Sequence, residues 1–158
     1  MATNPNSLEW KIEEAAIKWL ANASGHAAVA TDLTGRHYVQ AKTDANGNEN
    51  LVALPEVIFQ AVPVRQIHPN VAVFEMELIC TMRCQADDTT DAVFQARSKE
   101  MEDIFTGYYM AENLTSASLQ LKVDGEMGSE PGHKEINERH WDFIVKIRLA
   151  AQSTAPHP

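Results

Sequence analysis

The sequence predicts an α+β domain: a two-layer sandwich with a mostly antiparallel sheet and helices packed on one of its faces. Three observations predict it. Ala72, Phe74, Met76, Leu78, Cys80, Met82 and Cys84 alternate with a polar set that includes Glu75, Glu77, Thr81 and Arg83. A second alternation places Arg139, Trp141, Phe143, Val145, Ile147 and Leu149 against His140, Asp142, Lys146 and Arg148. Two further segments carry apolar residues at helical spacing. Period-two patterning marks strands with one face in a core, and amphipathic helices supply the layer that covers that face.

Taken in order, Leu8, Ile12, Ala15, Ala16, Trp19 and Leu20 form one helical stripe, which predicts a helix over residues 7–22 with Ser7 as its cap. Glu9, Glu13 and Glu14 are expected near its start, facing the positive end of the helix dipole. Trp10 lies off the stripe and is expected at its edge, partly buried. The segment Ser24 to Asn50 is poor in large apolar residues and rich in turn signals, at Ser24-Gly25, Thr34-Gly35 and Asn46-Gly47-Asn48. It reads as short strands near 27–31 and 36–42 followed by a loop. Residues 55–62 read as a strand, and Pro63 and Pro69 bracket the connection to the long strand at 71–84.

At roughly 3.3 Å per residue that strand is about 46 Å long, well above the usual length, and its projecting part is expected to pair with another copy of the chain. Gln85 to Asp91 reads as a turn. The helix that follows is capped by Thr89 or Thr90, buries Val93, Phe94, Met101, Ile104 and Phe105, and ends at Gly107; Tyr108 to Asn113 adds a further turn. Residues 118–126 read as a strand, 128–137 as a loop, and 139–149 as the closing strand. Residues 1–152 thus make a single domain, and 153–158 a disordered tail.

At 158 residues the chain is large enough to bury a core without a disulfide or metal. Its apolar runs are too short to span a bilayer, and the opening Met1-Ala-Thr-Asn-Pro-Asn lacks the pattern of a secretion signal. Cys80 and Cys84, four apart on one strand, lie about 13 Å from each other and are expected to be buried free thiols. The formal charge is −9, from 22 acidic against 13 basic side chains. Nucleic-acid binders rely on excess cations, so this balance argues against tight DNA or RNA binding.

No phosphate loop, nucleophile elbow or Cys-x-x-Cys pair occurs. Asp87, Asp88 and Asp91 read as helix-capping acids rather than a cation site, since the further ligands and glycine of a calcium loop are absent. His140 and Asp142 share a strand face and would approach Glu75 or Glu77 if the two long strands pair. A metal or general-base cluster is one reading of this face. The preferred one is a set of cross-strand ion pairs or a subunit contact formed by Glu75, Glu77, Arg83, His140, Asp142, Lys146 and Arg148. No catalytic, cofactor or metal residue is assigned. Met127 and the loop 128–133 read as a flexible hairpin tip or a partner-binding arm.

The strand Val73-Phe-Glu-Met-Glu-Leu-Ile79, the turn Ala86-Asp-Asp-Thr-Thr90, the helix with Ala96-Arg97 and its end near Ile104-Phe105, and the closing strand from Glu138 to Leu149 together resemble a known family. It is the tail-terminator and tail-completion group of tailed bacteriophages, also labelled minor tail or neck proteins. The resemblance implies a non-enzymatic virion protein, made in the host bacterial cytoplasm. Its subunits would form a ring, commonly a hexamer, that caps the tail tube and docks to the head connector. The implied partners are other copies of the chain, the tail tube protein and the head connector or neck proteins, with DNA only as cargo in the lumen, and with no membrane and no cofactor. An acidic wall would then let DNA pass without sticking. Alternatives are a head-completion or neck adaptor, a tail-chaperone-like factor, and a small ligand-binding or metal-dependent α+β enzyme.

Overall fold

The computed structural model describes residues 7–21, 37–38, 56–68, 71–85, 91–105 and 113–154. Its elements are α1 (Leu8–Ala21), β1 (His37–Tyr38), β2 (Glu56–His68), β3 (Val71–Gln85), α2 (Asp91–Phe105), β4 (Leu121–Ile136) and β5 (His140–Ser153). One sheet has the order β1-β2-β3-β5-β4, antiparallel throughout except for the short parallel pair of β1 with β2. The fold is α+β, as the alternation predicts.

One face of the sheet and both helices share a single core. Phe59, Met76, Leu78, Cys80, Met82, Val145, Ile147 and Leu149 point into it, meeting Ile12, Ala16 and Leu20 of α1 and Phe94, Met101 and Phe105 of α2. Burying each large side chain stabilises the fold by roughly 1.5–3 kcal/mol. The Phe59 and Phe105 rings meet at a tilt of 57° with centroids 5.4 Å apart, and Phe94 meets Trp141 edge-on at 5.5 Å. The Trp19 indole N–H donates to the Ile104 carbonyl at 2.7 Å, tying the helices together and satisfying a carbonyl in the last turn of α2. Ser7 caps α1 by accepting from Trp10 N at 3.2 Å, and Trp10 is half-buried. Cys80 and Cys84 are buried free thiols, and burial pushes the Cys80 thiol well above its usual range.

Several expectations need correction. Glu13 is not at a solvated helix start: it is buried, with Oε2 accepting from Ala61 N at 2.9 Å. Lys11 is buried too, and its Nζ donates to Ser153 Oγ at 2.7 Å. β2 does not stop before Pro63 but runs to His68, with a register shift between Pro63 and Arg65. Residues of one parity in an antiparallel strand aim their N–H groups to the same side. Pro63 shares the parity of Ala61, whose N–H faces away from β3, so the missing donor falls on the outer edge, where proline is tolerated.

β3 has no projecting part for another copy to pair with. β2 and β5 are nearly as long: β2 spans β3 from Val71 to Arg83, with two register shifts, and β5 spans it from Phe74 to Gln85. Val93 is exposed, not part of the α2 stripe. β4 begins at Leu121 instead of 118, because residues 117–120 form a tight turn closed by Gln120 N to the Ala117 carbonyl at 3.1 Å, with Gln120 left-handed at φ 53°. β4 then continues through the expected loop 128–137, absorbing Gly125, Gly128 and Pro131 at three register shifts. β5 extends to Ser153, so the expected tail starts too early at its first residue. The hairpin expected near residues 27–42 and the turn carrying Asp87 and Asp88 lie outside the described residues, apart from the strand His37–Tyr38. So do the added turn at Tyr108, except Asn113, and the tail 155–158.

Candidate interaction face

The side chains of opposite parity on β2, β3 and β5 form the second face of the sheet. Both helices pack on the other side, and among the described residues no element covers this one. Register fixes its rows. Ile58, Thr81 and Ile144 lie side by side; next come Gln60, Ile79 and Lys146; then Val62, Glu77 and Arg148. Ile58, Ile79, Thr81, Ile144 and Val62 are each half-buried, which leaves an apolar centre on an open surface.

Charged pairs ring that centre, as cross-strand neighbours of opposite sign should. Arg83 grips Asp142 with two bonds, Nε to Oδ1 at 3.0 Å and Nη2 to Oδ2 at 3.1 Å. Arg148 stands 3.7 Å from Glu77, and Arg65 3.4 Å from Glu75. Lys146 and Arg148 overhang a shallow groove of about 360 Å³, floored in part by Glu77, Met127 and Glu130.

His140 and Asp142 do meet, with Nδ1 to Oδ1 at 2.9 Å. Asn137 Oδ1 already accepts from the backbone N–H groups of Arg139 and His140, so its Nδ2 is the donor to His140 Nε2 at 3.2 Å. This assigns the Nδ1–H tautomer to His140. The network pins the tight β4–β5 turn, in which Asn137 N donates to the His140 carbonyl. Glu75 and Glu77 do not join it. Antiparallel register sets Asp142 opposite Arg83 and Glu77 opposite Arg148, six residues along β3, or about 20 Å away. The alternative cluster of His140, Asp142 and the two glutamates is therefore not assembled. Asp142 is already engaged by Arg83 and His140, and among the described residues no group of three His, Cys, Asp or Glu side chains is placed to hold a metal.

All seven residues predicted as a partner surface thus lie on the open face, with Glu75, His140 and Asp142 buried beneath their cations or in the turn network. The buried pair Glu13 and Lys11 escaped the sequence reading. At ~100° per residue Glu13 falls only about 20° beyond Leu20, at the margin of the apolar stripe, and that position was the available signal.

A second groove, of about 560 Å³, lies on the helical side between α2 and β4, lined by Phe94, Lys99, Glu102, Gly132, His133 and Phe143 among others. No helix among the described residues is long and apolar enough to cross a membrane. No protein-family model and no curated protein matches the chain. Among solved structures it is similar to a chain of the "Virion of native gene transfer agent (GTA) particle", at 14% identity and a TM-score of 0.57, over 87% of this chain and 93% of that one.

Proposed function

We propose that this chain is a structural virion protein, a ring-forming subunit that terminates a tail tube and joins it to the head connector. The observation that carries this reading is the fold shared, over nearly the full length of both chains, with a component of a gene transfer agent particle. The resemblance of the β3, α2 and β5 segments to tail-terminator proteins supports the finer role. So does the open sheet face, whose apolar centre and charged rim have the anatomy of a protein interface. On this reading Glu75, Glu77, Arg83, His140, Asp142, Lys146 and Arg148 build or brace a contact between subunits. The protein acts by assembly and needs no cofactor.

Light scattering and negative-stain imaging of the full chain, alone and with tail tubes, test the proposal. Rings, commonly hexameric, at the head-proximal tube end are expected. A strict monomer at high concentration that forms no ring on tubes would refute it. Rings seated on the connector and never on tubes would assign the chain to the neck-adaptor alternative.

A further inference from the structure

The β4–β5 turn is held by one carboxamide whose two ends do opposite jobs. Asn137 Oδ1 accepts from Arg139 N and from His140 N, each at 2.8 Å. Its Nδ2 donates to His140 Nε2 at 3.2 Å, and His140 Nδ1–H donates to Asp142 Oδ1 at 2.9 Å. One backbone bond also closes this turn, from Asn137 N to the His140 carbonyl at 3.1 Å. The His140 N–H, which in a fully paired ladder would donate back to the Asn137 carbonyl, goes to the Asn137 side chain instead. Closure of the hairpin thus passes through a side chain, and the orientation of that side chain is set by a ring nitrogen that can take a proton.

The two protonation states of His140 are not equivalent here. Neutral with Nδ1–H, the ring offers a donor to Asp142 and an acceptor to Asn137, and each contact is matched. The imidazolium carries a proton on both nitrogens, so Nε2–H then faces the Asn137 amide donor against donor. Turning the carboxamide over offers Oδ1 to the ring but sets Nδ2 against two backbone N–H groups, so the conflict moves and does not vanish. The His140 side chain is only 11% exposed, which leaves little room for water to mediate. Charge acts on the ring in both directions. Asp142 favours the imidazolium, while Arg83, 3.0 Å from the same Oδ1, opposes it. Glu135 stands opposite Asp142 across the β4–β5 ladder, Glu138 and Arg139 are exposed in the turn, and the β3 neighbour of His140 is the uncharged Gln85.

We propose that His140 is a proton-operated latch of the β4–β5 hairpin: protonation at Nε2 expels the Asn137 carboxamide, frees the Arg139 and His140 N–H groups, and opens the turn at the end of the open sheet face. The ring itself stays on Asp142, because a charged donor strengthens that bond. β5 therefore keeps its register against β3 while the turn beside the Arg83 and Asp142 pair comes loose. Acid acts on the hairpin tip alone. The latch does not depend on the assembly reading above.

Ring-nitrogen NMR of His140, together with amide exchange of the full chain from about pH 8 to about pH 5, the range in which histidine changes charge, provides the test. The Nδ1–H tautomer is expected at the alkaline end. As the ring protonates, the Arg139 and His140 amides are expected to lose about tenfold in protection beyond the intrinsic pH effect, the equivalent of one hydrogen bond. The amides of Val145 and Ile147, in the body of β5, are expected to keep theirs. Asn137→Asp replaces the conflicting amide with a second acceptor and is expected to reverse the sense, so that protonation of His140 tightens the turn. His140→Gln retains a donor and an acceptor but takes no proton, and is expected to flatten the response. Protection of the turn amides that is unchanged through the ring titration would overturn the latch. So would an Nε2–H tautomer at the alkaline end, a ring that stays neutral at the acid end, or an Asn137→Asp variant that loosens in acid as the wild type does.

Discussion

Glu13→Gln isolates the cost of a carboxylate buried at a sheet edge. Glu13 reaches from α1 to β2, and its Oε2 accepts from Ala61 N, while Oε1 has no partner among the described residues. Burial raises its pKa from the ordinary 4.5; the Ala61 N–H opposes the shift, and Glu9 and Glu14 add to it. With a folded pKa above the unfolded one, the native protein keeps a proton that the unfolded chain gives up. The Glu13 contribution to stability is then complete below pH 4.5 and is lost as pH rises through the folded value. Gln keeps the acceptor for Ala61 and cannot ionise. The stability of Glu13→Gln relative to wild type is therefore expected to rise as pH climbs from about 4 to 8. Glu13→Ala leaves the buried Ala61 N–H unmet and is expected to fall below Glu13→Gln by about 1–3 kcal/mol at every pH, or about 2–4 °C of melting temperature per kcal/mol. Urea unfolding at fixed low protein concentration, from pH 4 to 8, reads both differences. A wild-type minus Glu13→Gln difference that is flat across that range, or that favours wild type increasingly as pH rises, would refute the reasoning.

Three more outcomes are expected. A Cβ at Gly132 would lie 2.2 Å from Phe143 Cζ and 2.9 Å from Glu102 Oε2, so Gly132→Ala should cost about 1–3 kcal/mol by urea unfolding, most of it recovered on a Phe143→Ala background. Arg83→Met strands the buried Asp142 carboxylate and should cost about 3–5 kcal/mol, whereas Arg83→Met with Asp142→Leu should lose far less; equal losses would show that the pair is not what stabilises this row. Cys80 should resist iodoacetamide in the native protein at pH 8 and react once unfolded in urea, and prompt native labelling at Cys80 would contradict its burial.

The elements that the sequence reveals are those where one periodicity acts alone. β3 and β5 are central strands with a buried and an open face, so the alternation from Phe74 to Cys84 and from Trp141 to Leu149 maps directly onto the core. β4 hides because residues 128–136 have almost no buried side chains, and Gly128, Pro131 and Gly132 read as loop punctuation. Pairing with β5, not local preference, makes that stretch a strand. That these seven residues share one sheet face was legible, because all seven positions follow from strand parity. Which acids meet which bases was not, since that depends on the register of β3 against β5, and no spacing within either strand encodes it.

On the proposed assembly reading, the two edges of the sheet bear on how copies of this chain would meet. At the β2 edge, among the described residues, β1 pairs at Val57 and Ile58, Glu13 takes the Ala61 N–H, and Pro63 has none to offer. At the β4 edge, three register shifts break the ladder, and Asp124, Glu130 and Glu135 line a strand that turns mostly to solvent. Irregularity, charge and proline are the devices that keep strand edges from adding further strands. Both ends of the sheet are therefore poorly suited to extension by another copy, and the large surface left uncovered among the described residues is the face. Contact through faces orients a neighbour by side-chain charge and shape instead of by backbone ladder. Its strength then responds to ionic strength, and its geometry permits the subunit-to-subunit rotation that a closed ring requires.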